Sequence, residues 1–403
     1  MIAYHFPPVR GSSGRLRTMA FARYLQKKGW KPIVLAPNPR AYVDSAEDVN
    51  EEVPDGVIVH RSWAFDSARH FSIFGRYFRF TALPDRWISW WPFAVFSGLY
   101  LILRYKPKVI WSTYPISTAH LIAKTLCFLT RIPWVADFRD PMVYEDWPPE
   151  GIVRRINAKI ERSVVLHCDL AVFTTPSTLS LYQERYPEVP ITRWAVIPNG
   201  YDESDFSDIP SVLHGCKPPY VLVHSGLMEQ EDRDPKPFFD ALVCLRKEKK
   251  ILSGELKIIL RATGSEKLYQ SMIDALNLND MVELAPALSY KEALEEMFNV
   301  NALLLFQGPA CNRQVPAKLY EYFRVGKPIF AMTDKNGDTA KILQEIGITP
   351  VLAYDSIDEI KARFEVFFDS LRRGDVFGVS PEIYKQFSRE NSSEKLAKLL
   401  ERI

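Results

Sequence analysis

The sequence predicts an α/β protein built from two doubly wound, Rossmann-like domains that face each other across a cleft. The chain has 403 residues, which is too long for one ordinary hydrophobic core. Short apolar runs, typical of buried parallel strands, alternate with helical stretches in both halves. Between the halves, residues 207–219 contain several prolines and little periodicity, which indicates a domain boundary.

The first strand, loop and helix form a β-loop-α-β pattern. Residues 1–4 are a short strand, and a helix through Met19 leads to a second strand at 32–36. Because a central parallel strand is normally longer, we expect the natural start of the chain upstream. In the loop, Gly11 and Gly14 let the backbone approach a ligand at a helix N-terminus, where arginines add positive charge: Arg10, Arg15 and Arg17. The alternative is a loop that is only flexible.

Residues 61–108 combine eight basic residues with fourteen aromatic ones. This mixture is typical of a surface at the lipid headgroup boundary, so it predicts peripheral membrane contact. The alternative is an aromatic core with solvated arginines. The apolar run at 93–103 is short for a membrane span, which favours a buried helix.

Charged groups follow the strands predicted at 109–112 and 134–137. Asp137, Arg139 and Asp140 stand at the carboxyl end of the second strand, where open α/β sheets bind ligands. Two carboxylates around one arginine also fit a structural ion-pair cluster, and both interpretations stay open. His120, near the start of the helix between these two strands, is a second candidate, with a core histidine as its alternative. A helix at 152–167 and a strand at 170–174 complete the first domain, residues 1–206.

The second domain, residues 207–380, repeats the alternation. Strands are predicted at 220–226, 256–260, 281–284, 302–306 and 329–332. Gly226 and Gly264 follow two of these strands. The loop at 227–237 contains an acidic run that resembles a metal site, yet its single cation, Arg233, favours a phosphate contact. Residues 381–403 read as one helix that packs back on the first domain.

The segment from Pro316 to Gly326 is a helix with charged residues near its start. Pro316 suits the first helical position, and Gly326 suits a left-handed C-terminal cap. Lys318 is placed to bind phosphate at the helix N-terminus, and Glu321 can accept the hydroxyls of a ribose. The alternative is a solvated Lys/Glu pair.

Composition excludes several classes of protein. Hydrophobic residues make up 47% and charged residues 25%, as in soluble globular proteins. The net charge of +2 argues against nucleic acid as a partner. Five cysteines without paired spacing predict free thiols and a cytoplasmic location. Histidines and cysteines form no cluster, so no metal site is expected.

These segments together resemble glycosyltransferase family 4, retaining enzymes of the GT-B fold that use nucleotide sugars. The resemblance covers nearly the whole chain in order. It is carried by Phe6-Pro-Pro8 with the glycine-serine loop, Asp137-Phe-Arg-Asp140-Pro141, Ile197-Pro-Asn-Gly200 and Pro316-x-Lys-x-x-Glu-Tyr322 with Gly326-Lys-Pro328. The last of these is the most specific.

The resemblance implies that Lys318 and Glu321 bind a nucleotide-diphosphate sugar, with no further cofactor. Arg233 and Lys318 then stabilise the leaving diphosphate without a metal. Asp140 and His120 orient the acceptor and the sugar. With the basic-aromatic segment, it predicts transfer to a lipid-linked or polysaccharide acceptor at the inner face of the cytoplasmic membrane.

Two departures from the family pattern support other hypotheses. The family often has a second glutamate where this chain has Arg313, and a compact Arg/Lys loop where this chain has the longer loop with Arg233. A GT-B-shaped binding or assembly subunit without turnover is therefore the second hypothesis. A sugar-nucleotide epimerase of the same fold is the third.

Overall fold

The computed structural model of the chain describes residues 1–9, 13–44, 53–72, 74, 76–145, 147–207, 209, 217–376 and 378–403. These residues form two compact units. Unit 1 comprises Met1–Asn199 and Arg389–Ile403, and unit 2 comprises Gly200–Ser388. The chain leaves unit 1 before the predicted boundary at 206 and returns to it after the predicted residue 381.

Unit 1 contains a parallel sheet in which residues 1–4 join two groups of strands. Ile2 makes parallel bridges to Leu35 on one side and Ser112 on the other. The first group is β1 (Ile33–Pro37) and β2 (Ile58–Ser62), and the second is β3 (Ile110–Thr113), β4 (Trp134–Arg139), β5 (Leu170–Phe173) and β6 (Trp194–Val196). The sequence analysis missed β2, which is mostly half-buried and partly polar, and β6, which has only three residues.

Helices connect the strands of unit 1, as parallel pairing requires. They are α1 (Ser13–Tyr24), α2 (Ser67–His70), α3 (Trp90–Tyr105), α4 (Ser117–Thr130), α5 (Ile152–His167) and α6 (Pro176–Arg185). The sequence explains where α6 begins. Thr175 accepts a hydrogen bond from the Thr178 N–H at 3.4 Å, and Pro176 occupies the first turn.

Helix α3 has two apolar faces, only one of which is buried. Trp90, Ala94 and Leu101 face the core of unit 1. Gly98 packs so closely on α4 that a Cβ there would lie 2.5 Å from a Leu126 methyl carbon. The other face carries exposed Phe93, Phe96, Tyr100 and Leu103. The predicted buried helix is therefore half exposed. Within the described ranges, no helix is long and apolar enough to cross a bilayer.

Unit 2 contains a five-stranded parallel sheet in the order β11-β10-β7-β8-β9. The strands are β7 (Tyr220–Ser225), β8 (Leu256–Arg261), β9 (Val282–Ala285), β10 (Ala302–Gln307) and β11 (Ile329–Thr333). The helices are α7 (Gln230–Arg233), α8 (Lys236–Lys247), α9 (Glu266–Ala275), α10 (Tyr290–Phe298), α11 (Ala317–Val325), α12 (Asp338–Glu345), α13 (Ile357–Arg373) and α14 (Pro381–Tyr384). All five predicted strands are present, and the α/β class is confirmed in both units.

The last helix, α15 (Arg389–Leu400), belongs to unit 1. The predicted single helix over 381–403 is interrupted, because Ser388 is extended at φ −67° and ψ 146°. Beyond this break, Leu396 and Leu400 join Phe21 and Trp111 in a buried cluster. Residues that complete the core of unit 1 therefore come after the whole of unit 2 in the sequence.

Candidate active site

The best-defined group of candidate residues lies in unit 2, where β7 ends and α11 begins. Helix α11 starts at Ala317 with Pro316 as its extended N-cap residue, one position earlier than predicted for this proline. Gly326 closes the helix in the left-handed conformation at φ 71°, as predicted. The first turn of α11 thus presents Lys318 toward the residues that follow β7.

Lys318 contacts a histidine from the neighbouring strand. The Lys318 Nζ lies 3.1 Å from the His224 Nε2. The other ring nitrogen, Nδ1, lies 3.1 Å from the carbonyl oxygen of Leu304, which can only accept a hydrogen bond. His224 therefore carries its proton on Nδ1, and its Nε2 lone pair accepts from the lysine.

Burial and neighbouring charge weaken the hold of Lys318 on its proton. Burial, and then the nearby Arg233, lower the pKa of Lys318 to about 7. Glu321 and Asp232 act in the opposite direction. Burial, followed by the Lys318 charge, also lowers the pKa of His224 well below its usual range, so this imidazole is neutral. An anionic ligand bound beside Lys318 and Arg233 would offset the repulsion between these two cations.

Gly226 makes room for the lysine. Its φ of 108° is a conformation that other residues rarely adopt, and an added Cβ would lie 3.1 Å from the Lys318 Nζ. Gly264 is also left-handed, at φ 80°, and its Cβ would approach Leu227 at 2.8 Å. Both predicted glycines therefore permit close packing at the carboxyl ends of β7 and β8.

Arg233 ends a short helix within the predicted loop. Its Nη1 donates to the Leu227 carbonyl oxygen at 3.3 Å, and its Nη2 lies 3.3 Å from the Asp232 Oδ2. The same carboxylate oxygen lies 2.9 Å from the Cys311 thiol, and the Asp232 carbonyl oxygen accepts from the Gly308 N–H at 2.6 Å. These contacts attach α7 to the segment after β10.

Glu321 is buried one turn after Lys318. Its Oε1 accepts a hydrogen bond from the Tyr290 hydroxyl at 2.9 Å, and the same hydroxyl lies 3.3 Å from an Asp205 oxygen. Tyr322, the next residue, accepts from the Ser225 N–H at 3.3 Å and so joins α11 to the end of β7. Glu321 is thus buried and Lys318 half-buried, which argues against the alternative of a solvated Lys/Glu pair on this helix.

Besides the Asp232 Oδ1 and the Arg233 Nε, three polar side-chain atoms in unit 2 are buried without a hydrogen-bond partner among the described residues. They are the Thr263 Oγ1, the Gln307 Oε1 and the Thr333 Oγ1. Each follows or ends a strand at its carboxyl end, which is where open parallel sheets bind ligands. Buried polar atoms usually have a partner, so these groups add to the indication of a ligand there. Gln307 and Thr333 were not predicted from the sequence, because each stands at the end of an apolar run.

In unit 1, the charged groups at the carboxyl end of β4 have different surroundings. Asp137 is fully buried and binds Arg17 through two bonds of 3.0 and 2.9 Å, with Thr113 donating to it at 3.1 Å. Arg17 also donates to the Pro198 carbonyl oxygen at 3.0 Å. The ion-pair alternative therefore holds for Asp137, and Arg17 is engaged within unit 1.

Arg139 and Gly14 lie together. A Cβ on Gly14 would lie 2.3 Å from the Arg139 Nη1, so the glycine admits this guanidinium to the first turn of α1. Arg139 has a positive φ of 57°, a conformation that costs energy for a side-chain-bearing residue. Asp140 follows, half-buried, and burial raises the pKa of its carboxyl despite the nearby Arg139. Gly11 and Arg10 lie outside the described residues.

His120 lies in the core of unit 1. It is fully buried among Tyr114, Trp134 and Phe138, with its Nδ1 2.8 Å from the Ser112 hydroxyl. Burial lowers the pKa of this imidazole to about 3, so it is neutral. This placement supports the core alternative for His120 and does not bring it to a ligand.

Comparisons with known proteins agree with this architecture. Residues 14–200 match the family model described as a glycosyl transferase 4-like domain. Comparison with curated proteins gave no match.

Solved structures resemble the chain over its full length. HepE from Anabaena in complex with UDP is 14% identical with a TM-score of 0.66, covering 100% of this chain and 99% of that one. Sucrose-phosphate synthase from Thermosynechococcus elongatus is 13% identical with a TM-score of 0.64, covering 100% and 98%. The lipopolysaccharide outer core galactosyltransferase WaaB is 12% identical with a TM-score of 0.60, covering 99% and 98%. The chain therefore has the GT-B fold, and its residues 14–200 are similar to the glycosyl transferase 4-like domain.

Proposed function

We propose that the chain is a glycosyltransferase that moves a hexose from a nucleotide-diphosphate sugar to a lipid-linked or polysaccharide acceptor. The observation that carries this proposal is the Lys318 site in unit 2. There, a half-buried lysine with a lowered pKa lies near a second cation, Arg233, and at the start of a helix. A diphosphate would neutralise both cations and accept hydrogen bonds from the helix N-terminus.

The same residues suit the chemistry of transfer. As the bond to the sugar breaks, negative charge grows on the departing diphosphate and positive charge grows on the sugar. Lys318 and Arg233 would stabilise the diphosphate by charge and hydrogen bonding, without a metal. Glu321 would accept hydrogen bonds from the ribose. The family resemblance implies that the configuration at the sugar is retained, and we include this in the proposal. Asp140 is the candidate residue for orienting the acceptor.

Donor binding is tested by titrating the protein with a panel of nucleotide sugars in a calorimeter. We expect Lys318→Ala and Glu321→Ala to abolish donor binding and to leave the melting temperature nearly unchanged. Lys257→Ala and Glu283→Ala, which break an exposed cross-strand pair at 2.7 Å, are matched controls that should bind like the wild type. Wild-type affinity in both site variants would refute the assignment.

Product analysis separates the transferase from the two alternatives. A transferase releases nucleotide diphosphate from the donor when acceptor is present, and we expect this release to persist in EDTA. A binding or assembly subunit that departs from the family at Arg313 would bind donor without releasing nucleotide. An epimerase would convert the donor sugar in the absence of any acceptor.

The proposed acceptor chemistry includes contact with the inner face of the cytoplasmic membrane. Exposed apolar side chains continue from α3 onto the end of α4, where Phe128 is 70% and Leu129 is 54% exposed. Phe96 is 74% and Leu103 is 79% exposed on α3 itself. Arg104, Lys106 and Arg131 stand at the ends of these helices, where they would meet anionic headgroups.

Vesicle sedimentation tests the membrane contact. Wild-type protein should sediment with anionic phospholipid vesicles at low salt, and the double variant Phe96→Ser with Leu103→Ser should lose most of this binding. Val366→Ser, which changes an exposed apolar residue of unit 2, is the control and should bind like the wild type. Equal sedimentation of all three proteins would remove this part of the proposal.

A further inference from the structure

A cavity of about 400 Å³ lies within unit 1, whereas the proposed donor residues belong to unit 2. Its walls come from the segment before α3, the loop after β3, and the loop between β4 and α5. The two loops follow the carboxyl ends of neighbouring strands, the edge where parallel sheets bind ligands. A cavity of this size accommodates a small molecule.

One wall of the cavity is the indole of Trp147, which is 56% exposed. A tight turn holds this residue in place. The Tyr144 N–H donates to the Trp147 carbonyl oxygen at 2.9 Å, and the Trp147 N–H donates to the Tyr144 carbonyl oxygen at 2.7 Å. An aromatic ring that is fixed by a turn at the wall of a cavity is suited to stack against a ligand, and Trp147 is such a ring.

Other residues that line the cavity are polar. Ser117 donates to the Asn157 Oδ1 at 3.0 Å, which leaves the Asn157 amide nitrogen as a donor. Asp85 accepts from the Thr118 N–H at 2.8 Å and from its hydroxyl at 2.9 Å, so its carboxylate is held at the start of α4. Fixed donors and acceptors in one cavity with an aromatic ring match the two surfaces of a sugar, its hydroxyl groups and its apolar C–H face.

The charges around the cavity argue against an anion. Arg79 is the cation among the lining residues, and Asp85 and Glu150 are carboxylates. Glu150 is paired with Arg154 at 3.2 Å. A phosphate would therefore meet one guanidinium and at least one unneutralised carboxylate, whereas an uncharged saccharide meets no opposing charge.

We infer that this cavity binds the sugar rings of an uncharged saccharide, with Trp147 stacked on one ring and Asp85 and Asn157 bonded to its hydroxyls. The inference rests on the proposed function in one respect, since the saccharide would be the part of the acceptor that receives the new sugar. The residues of this subsite lie in unit 1, whereas the donor residues lie in unit 2.

Saturation-transfer NMR on the full chain tests this subsite with methyl glycosides of glucose, galactose, mannose and N-acetylglucosamine. The wild type should bind at least one of them at millimolar concentration. Trp147→Ala should weaken that affinity by about fivefold or more, as expected for the loss of an aromatic contact. Trp147→Phe should retain most of it, because a ring remains. Trp63→Ala removes an equally exposed tryptophan of unit 1 outside the cavity and should match the wild type.

Three results would overturn the inference: no glycoside binds the wild type, Trp147→Ala binds as tightly as Trp63→Ala, or inorganic pyrophosphate displaces the glycoside. Equal melting temperatures of the two tryptophan-to-alanine variants establish that folding is intact. Lys318→Ala should bind the glycoside normally. A wild-type protein that binds the glycoside but binds no nucleotide sugar in calorimetry would count against the donor proposal alone.

Discussion

The charge of Lys318 depends on what surrounds it. A neutral imidazole accepts from its Nζ at 3.1 Å, and burial with the nearby Arg233 lowers its pKa from 10.5 to about 7. The ammonium form is therefore only half populated near neutral pH. A bound diphosphate would favour that form, so donor binding should take up a proton above pH 7.

Donor affinity should consequently fall as the pH rises. Below its pKa, Lys318 is already charged and affinity is constant; above it, affinity should drop by up to about tenfold per pH unit. Calorimetry with a nucleotide sugar between pH 6 and 9 measures this, because the diphosphate diester itself does not titrate there. Lys318→Met should bind weakly and without this slope. A flat wild-type profile would contradict the assigned role.

At this scale, the sequence predicted some members of the site and missed their partners. Lys318 and Glu321 were found because residues three positions apart lie on the same face of a helix, which is a local pattern. His224 and Tyr290 come from β7 and α10, and nothing in the order of residues shows that they meet α11. His224 also stands within an apolar run, where it resembles any buried strand residue.

The elements were easier to predict than their contacts. Buried parallel strands are continuous apolar runs, and nine such runs, from β1 to β11, were recognised within a residue or two of their ends. Strand β2 was missed because only Ser62 among its residues is fully buried. The break before α15 was missed because residues 381–403 lack a strong helix breaker after Pro381.

The glycine at the C-terminal cap of α11 allows the cost of backbone strain at this position to be measured. Gly326 has a φ of 71°, and the nearest atom to an added Cβ is the Val379 carbonyl oxygen at 3.7 Å, an ordinary contact. Gly326→Ala should therefore lower the free energy of unfolding by about 1 kcal/mol through backbone strain alone.

Gly326→Asn should cost less than Gly326→Ala, because asparagine tolerates the left-handed conformation. Urea unfolding measures both variants. Donor affinity should be unchanged in each, since Lys318 stands at the opposite end of the helix. An alanine variant as stable as the wild type would show that strain at this cap does not limit stability.

Across the whole molecule, the core of unit 1 depends on residues distant in sequence. Leu396 is almost fully buried in the cluster with Phe21 and Trp111. Leu396→Ala should cost about 3 kcal/mol, typical of a leucine removed from a core. Hydrogen exchange should then speed up in α1 and β3 while the strands of unit 2 keep their protection.

The double variant Lys27→Ala with Lys28→Ala is the control for this experiment. It removes two exposed ion pairs between the turn that follows α1 and helix α15, to Glu390 at 3.1 Å and Glu394 at 3.2 Å, and should leave exchange nearly unchanged. Faster exchange throughout both units in Leu396→Ala would show instead that the units unfold together.

The return of the chain to unit 1 also sets an order for synthesis on the ribosome. Unit 2 is one continuous segment, Gly200–Ser388, and all its strands exist before α15 is made. Unit 1, although translated first, lacks Leu396 and Leu400 until residues 389–403 emerge. Its apolar surface around Phe21 and Trp111 thus stays uncovered throughout the translation of unit 2, and this interval is when the nascent chain most needs protection by chaperones.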